Sequence, residues 1–254
     1  MLTDERKTHL LSTLQQTGRI VAKTESLNLH VSEDTIRRDL RELAKEGQLK
    51  RVHGGAVPIA SANAPFSGRV SIASPEKVAI GKRAAQLIEP GQVVFIDGGT
   101  TALQLARNLP PNLEATVITH SPNIAMELID HDRLEIEIVG GRLFRHSIVT
   151  CGATTLDRLN RCRPDICFIG AAGLHPDQGI TTGDSEEAEV KRTVIDRSAS
   201  TTILASSEKL GAVSSFELAN WSDIDNLVVS AETHSKAVEM FSDLGCEIIS
   251  ASQN

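Results

Sequence analysis

Apolar positions in the first fifty residues recur at helical spacing, and the period then shortens. Leu10, Leu11 and Leu14 share one face of a helix that Thr17-Gly18 ends, with glycine just past the last turn. A shorter apolar segment, Leu27 to Leu29, follows. The clearest local signal is Val31 to Leu43. Ser32 is a good N-cap, Glu33 and Asp34 sit in the first turn where the helix dipole favours them, and Ile36, Leu40 and Leu43 form an i, i+4, i+7 stripe toward a core. Arg37, Arg38 and Arg41 fall off that stripe, toward solvent or a ligand, and Gly47 stops the helix. Residues 49–57 alternate like a short hairpin strand, with Gly54-Gly55 near one end.

Beyond residue 74 short uninterrupted apolar runs alternate with helical segments. Helices are predicted from Ser74 to about Ile88, over Ala102–Asn108, from Pro122 to Ile129 and over Glu186–Asp196. Strands are predicted at Val93–Ile96, Thr116–Ile118, Leu134–Val139, Ile166–Ile169, Thr202–Ala205, Leu227–Val229 and Glu247–Ile249. This alternation predicts an α/β domain whose largely parallel sheet is covered on both faces. Pro58 to Gly68 is small and turn-prone with no period, and reads as a linker. The chain thus divides into 1–57, a linker at 58–73, and 74–254.

Composition changes the picture in three places. The net charge of −7 conceals a segregation: residues 1–57 hold ten Lys+Arg against eight Asp+Glu, a net of +2, and the rest hold 16 against 25, a net of −9. Aromatics are 3% with no Tyr, which excludes rows of stacking platforms for single-stranded nucleic acid. The four cysteines (Cys151, Cys162, Cys167 and Cys246) show no C-x-x-C pair and no metal-finger spacing, so they read as reduced thiols. No run approaches ~18 apolar residues, and the charged start lacks a signal peptide's apolar stretch. A cytoplasmic protein with no membrane partner, metal or cofactor is expected.

Three helical segments followed by a small basic β-wing make a winged helix-turn-helix, a chemistry suited to double-stranded DNA. A helix fits the major groove, exposed Arg residues pair bidentately with guanine or hold phosphates, and the wing carries Lys50, Arg51 and His53 to the backbone. A charged helix face can equally be a solvated surface, but the Ser cap, the basic wing and the charge reversal at the linker favour DNA. The run Val31-Ser-x-x-Thr35-Ile-Arg-Arg-Asp-Leu40, then Gly47, then Arg51-Val-His-Gly-Gly-Ala56, resembles the signature of DeoR-family bacterial transcriptional regulators. It departs from the family at Glu25, where leucine is usual. The resemblance implies a DNA-binding set of Ser32, Thr35, Arg37, Arg38, Arg41, Lys50, Arg51 and His53.

In the second half, Asp97-Gly98-Gly99-Thr100-Thr101 lies on a strand-to-helix turn. Glycines let backbone N–H groups approach an anion, and threonine hydroxyls add donors at a helix N-terminus. Glycines also simply make tight turns, but Thr119-His120-Ser121 repeats the polar turn after the next strand. There is no G-x-x-x-x-G-K-[ST] loop. The resemblance extends over about 75 to 250. It implies a sensor domain similar in fold to ribose-5-phosphate isomerase, with the Asp-Gly-Gly-Thr-Thr loop on the phosphate of a sugar or polyol effector. The Thr119-His120-Ser121 loop, Glu187, Lys191 and Lys209 are implied as further contacts; an i, i+4 ion pair explains Glu187 and Lys191 equally well. The expected function is a repressor of a carbohydrate or polyol catabolic operon, relieved by that effector and working as a homodimer or homotetramer on operator DNA. The competing class is an isomerase-like enzyme fused to a DNA-binding module. Against it, Gly170-Ala-Ala-Gly173 stands where acidic residues would be expected.

Overall fold

The structure, a computed structural model, describes residues 2–17, 19–58, 65–72, 74–233 and 235–252. Gly18, expected to end the first helix, and residues 59–64 and 73 of the expected linker lie outside the described residues.

The N-terminal unit packs α1 (Thr3–Thr17), α2 (Ala22–Asn28) and α3 (Glu33–Lys45) against a small antiparallel sheet. The sheet joins β1 (Ile20–Val21), β2 (Lys50–Val52) and β3 (Gly55–Val57) in the order β1-β3-β2. Leu10, Leu14, Ile20, Ile36, Leu40, Leu43 and Leu49 form its core, so the apolar stripe on α3 faces inward as its period requires. Ser32 caps α3 by accepting from the Thr35 N–H at 3.1 Å. Gly55 is required for the β1–β3 pairing, since a Cβ there would lie 1.7 Å from the Ile20 carbonyl oxygen.

The expected apolar segment Leu27–Leu29 has a different form. α2 turns Ala22 and Glu25 inward and leaves Leu27 68% exposed. Glu25 occupies an interior position because His9 Nε2 lies 3.1 Å from one carboxylate oxygen and Asn28 Nδ2 donates to the other at 3.1 Å.

Part of the expected linker is structured. The C-terminal part of the expected linker forms a short helix, α4 (Phe66–Arg69), followed by α5 (Ser74–Ala85). Non-local polar bonds hold α4: Phe66 N donates to His146 O at 2.9 Å, and Lys77 Nζ donates to Arg69 O at 2.8 Å.

The sheet comprises β4 (Val93–Ile96), β5 (Ala115–Thr119), β6 (Leu134–Ile138), β9 (Ile166–Gly170), β12 (Thr201–Ala205), β14 (Asn226–Ser230) and β15 (Glu247–Ala251). All pairings among the seven are parallel, in the order β15-β14-β12-β9-β4-β5-β6. Alternate side chains serve opposite layers: Val94 and Ile96 pack with Phe168 and Leu204, whereas Phe95 packs with Cys167, Ile169 and Ile203. The chain winds outward from β4 to β6 on one side and from β9 to β15 on the other. The strand order therefore reverses between β4 and β9, where open α/β sheets leave a crevice at the strands' carboxyl ends.

Helices α6 (Thr100–Arg107), α7 (Pro122–Glu127) and α9 (Ser185–Arg197) follow the pattern read from the sequence. The hairpin β7 (Arg142–Phe144) and β8 (Val149–Cys151), helices α8 (Ala153–Leu159) and α10 (Ser235–Glu239), and a second sheet of β10 (Gly173–His175), β11 (Gly179–Thr182) and β13 (Phe216–Ala219) were not anticipated. Among the described residues no helix is long and apolar enough to cross a membrane.

Candidate functional site

A cavity of about 320 Å³ opens at the switch point, walled by Gly98–Thr101 after β4 and by Gly170–Ala172 at the end of β9. Thr182–Asp184, Glu187 and Lys191 form another side, and Arg69, Lys77, His146, Ser147, Glu208 and Lys209 complete it. α6 starts at this wall, so its unpaired N–H groups and the positive end of its dipole face the cavity. Gly99 has φ +111°, a conformation that favours glycine. A Cβ on Gly98 would meet Val149 Cγ1 at 2.2 Å, so the β7–β8 hairpin seats directly on this loop. Thr101 Oγ1 is buried and has no hydrogen-bond partner among the described residues.

The residues expected to meet the ligand separate into two layers. Gly98, Gly99, Thr100, Thr101, Glu187, Lys191 and Lys209 line the cavity. Asp97, Thr119, His120 and Ser121 do not; all four are buried behind its wall. Asp97 turns inward because four partners await it there. Oδ1 lies 2.8 Å from His120 Nε2 and accepts from Gly98 N at 2.7 Å, while Oδ2 accepts from Gly170 N at 2.9 Å and lies 3.0 Å from Lys191 Nζ. Thr119 Oγ1 donates to Ile96 O at 2.7 Å and Ser121 Oγ to Ile148 O at 3.2 Å, which clamps β5 to its neighbours. His120 Nδ1 lies 2.9 Å from Thr150 O.

Burial alone would raise the Asp97 pKa, but the Lys191 charge, His120 and the Gly170 N–H outweigh it and hold the carboxyl well below the usual carboxylate range. Burial likewise works against the Lys191 ammonium, and Asp97 and Glu187 more than compensate, raising its pKa. Lys191 also donates to Gly170 O at 2.7 Å and lies 3.2 Å from Glu187 Oε1. This charged cluster ties β4, β9 and α9 together beneath the cavity floor.

The part of the lining made by Arg69, Lys77 and Lys209 is cationic and less compensated. Burial lowers the Lys209 pKa to about 8; Glu208 opposes the shift, and Lys77, Arg69 and Lys191 add to it. Arg69 and Lys77 are also shifted down by burial, offset in part by Glu187 and Asp97 for Arg69 and by Glu208 for Lys77. Sequence reasoning missed both residues. Lys77 carried a usable signal, since it stands on the buried stripe of α5 with Ile80, Gly81 and Ala84. Cations that share a cavity with a helix N-terminus suit it to an anion.

In the N-terminal unit Arg37, Arg38 and Arg41 are exposed along α3. Arg37 pairs with Glu33 at 2.7 Å and Arg38 approaches Glu42 at 3.9 Å. Ser32 and Thr35 lie at the start of α3, their hydroxyls 2.8 Å apart. Arg51 and His53 are exposed on the wing. Lys50, expected beside them, instead donates to the Ser214 carbonyl of the α/β unit, because strand alternation points it away from Arg51.

Comparison with known proteins is consistent across the chain. Residues 6–62 match the DeoR-like helix-turn-helix domain, and residues 72–231 match the DeoR C terminal sensor domain. The HTH-type transcriptional regulator GlpR of Haloferax volcanii is 34% identical over 254 residues, 98% of each chain. The HTH-type transcriptional repressor GlcR of Bacillus subtilis is 32% identical, covering 100% of this chain and 98% of its own. The glycerol-3-phosphate regulon repressor of Escherichia coli is 29% identical over 96% and 97% of the two chains. These relatives are regulators and repressors, not enzymes. Among solved structures, ribose 5-phosphate isomerase A from Methanocaldococcus jannaschii aligns over 52% of each chain at 22% identity, with a TM-score of 0.38.

Proposed function

The chain belongs to the DeoR family of helix-turn-helix transcriptional regulators, and from that premise we propose that it represses a carbohydrate or polyol catabolic operon and is released by a phosphorylated sugar or polyol. The observation that carries this reading is the cavity at the β4–β9 switch point. There the start of α6, with the Thr101 hydroxyl that has no partner among the described residues, lines the same cavity as Arg69, Lys77 and Lys209. An anion satisfies both walls at once, and the remaining volume accommodates a small polyol chain. The name of one relative, a glycerol-3-phosphate regulon repressor, supports the same choice.

α3 and the wing read operator DNA, with Arg37, Arg38, Arg41, Arg51 and His53 as the exposed contacts. One winged helix spans only a few base pairs, so specific binding requires paired modules on half-sites about one helical turn apart. The α/β unit is the scaffold of that homodimer or homotetramer. Effector binding favours a state of low DNA affinity, and the repression relieved equals that differential affinity. The test is fluorescence anisotropy on a labelled operator fragment in the presence of phosphorylated and unphosphorylated sugars and polyols. A phosphorylated compound should weaken binding at least tenfold and its unphosphorylated parent should not. Operator affinity indifferent to the whole series would overturn the reading.

A further inference from the structure

Arg69 occupies an unusual position. It comes from α4, the first described element after the DNA-binding unit, and only seven sequence positions separate Val57 at the end of the wing from Pro65. Its side chain nevertheless lines the cavity. The attachment of α4 to the α/β unit is slight: none of its residues is buried, and Val70 beyond it is 46% exposed. What holds it converges on the cavity rim. Arg69 Nη2 donates to His146 O and Ser147 Oγ, each at 3.3 Å, and Lys77 Nζ reaches the Arg69 carbonyl. Arg69 Nε is buried and has no hydrogen-bond partner among the described residues. The guanidinium is thus incompletely satisfied beside two other cations, Lys77 and Lys209.

We propose that Arg69 is the residue through which the cavity's occupant reaches the DNA-binding unit: an anion seated between the start of α6 and Arg69 completes the guanidinium's hydrogen bonding and fixes the end of the connecting segment. This deepens the effector reading and rests on it. A phosphate monoester suits the arrangement better than a carboxylate. Its three terminal oxygens can serve the α6 N–H groups, the Thr101 hydroxyl and Arg69 together, and its near-double charge matches the three cations that line the cavity, Arg69, Lys77 and Lys209. Occupancy then changes the restraint on residues 65–69, from which the chain continues back to the wing.

The experiment uses the full chain with inorganic phosphate and glycerol 3-phosphate as probes, and compares wild type with Arg69→Ala and Arg69→Lys. Calorimetry gives probe affinity, amide hydrogen exchange reports on residues 65–72, and thermal melting checks the fold. In wild type the probe should slow exchange at 65–72 at least fivefold. Arg69→Ala should melt within a few degrees of wild type without probe, bind the probe at least tenfold more weakly, and show no added protection at 65–72 even at saturation; Arg69→Lys should recover part of the affinity. Equal probe affinity in wild type and Arg69→Ala, with exchange at 65–72 unmoved in both, overturns the role of Arg69 and leaves the anion cavity standing. Failure of wild type to bind either probe at millimolar concentration overturns both.

Discussion

Arg6 and Asp39 form a buried two-pronged ion pair between α1 and α3, with Arg6 Nε 2.5 Å from Oδ2 and Nη2 3.1 Å from Oδ1. Asp39 follows two exposed arginines in sequence but lies on the opposite side of the helix, fully buried. The pair sets how α3, and so its arginine face, is presented. Removing one partner strands the other charge in the core, a loss of ~3–5 kcal/mol. That approaches the whole stability a unit this small can hold. Arg6→Ala and Asp39→Ala should therefore unfold the N-terminal unit and abolish operator binding, with the α/β unit melting as before. Replacing both with Met and Leu should restore most of the stability. Single variants that melt and bind like wild type would refute this role.

On the reading face the arginines are not equivalent. Arg37 and Arg38 have acidic neighbours on their own helix, which contact with DNA would displace. Arg37→Ala or Arg38→Ala should weaken operator binding by ~1–3 kcal/mol where the side chain reads a base. Arg41 lies further along α3. If Arg41 holds a phosphate, Arg41→Ala should reduce the slope of log affinity against log salt by about one and weaken all sequences alike. Anisotropy titrations at several salt concentrations separate the two behaviours.

Thr101→Ala isolates the cavity from the fold. Because Thr101 Oγ1 makes no hydrogen bond among the described residues, its loss should leave the melting temperature unchanged or slightly raised. Effector binding should fall by ~1.5–3 kcal/mol, the size of a charge-assisted hydrogen bond. Operator binding should persist and release should fail. Gly99→Ala is the companion variant: its new Cβ meets nothing within 4 Å of protein, so steric interference falls on the ligand, and backbone strain at φ +111° lowers stability by ~1–3 kcal/mol. Normal effector release in both variants would place the anion elsewhere in the cavity.

Lys209 gives the cavity a pH signature. With a native pKa of about 8 against an ordinary 10.5, the lysine is charged in both folded and unfolded states below pH 8, and the full cost of its burial is present there. Between about 8 and 10.5 the unfolded chain binds the proton that the native state has released, so stability rises with pH across that window. Lys209→Met should flatten the rise in urea titrations at pH 7.5 and 9.5. A bound anion draws the pKa back up, so binding near pH 8 should take up about half a proton. Calorimetry in two buffers of different ionisation enthalpy measures that uptake, and zero uptake would exclude Lys209 from the anion's surroundings.

What could be read from the sequence was local. α3 carried its own cap, stripe and stop, and β4 carried an uninterrupted apolar run whose bounds, Val93–Ile96, match the strand. The Gly98–Thr101 turn was legible because strand, glycines and helix start are contiguous. The direction of Asp97 was not, since Lys191, the partner that draws it inward, lies 94 positions away. α4 looked like linker because its composition is that of a turn, and the bonds that anchor it come from His146 and Lys77, far along the chain or on the next helix. Lys50 alternated as a strand residue should, but nothing in its own neighbourhood disclosed that Ser214 would cover its face of the wing.

The placing of the cavity between β4 and β9 has a consequence for the order in which a new molecule acquires its properties. The residues proposed to read DNA all lie before residue 57, whereas the cavity walls are drawn from positions as far along the chain as Lys209. Domains fold in N-to-C order as they leave the ribosome, at about 5–20 residues per second, so roughly eight to thirty seconds separate the two events. During synthesis the reading head is made before the cavity. A chain truncated anywhere between the two points retains the reading helix but lacks both the cavity and the intact α/β unit proposed to pair the reading heads, so nonsense lesions across that span should abolish specific operator binding together with any response to a signal, whatever codon they strike.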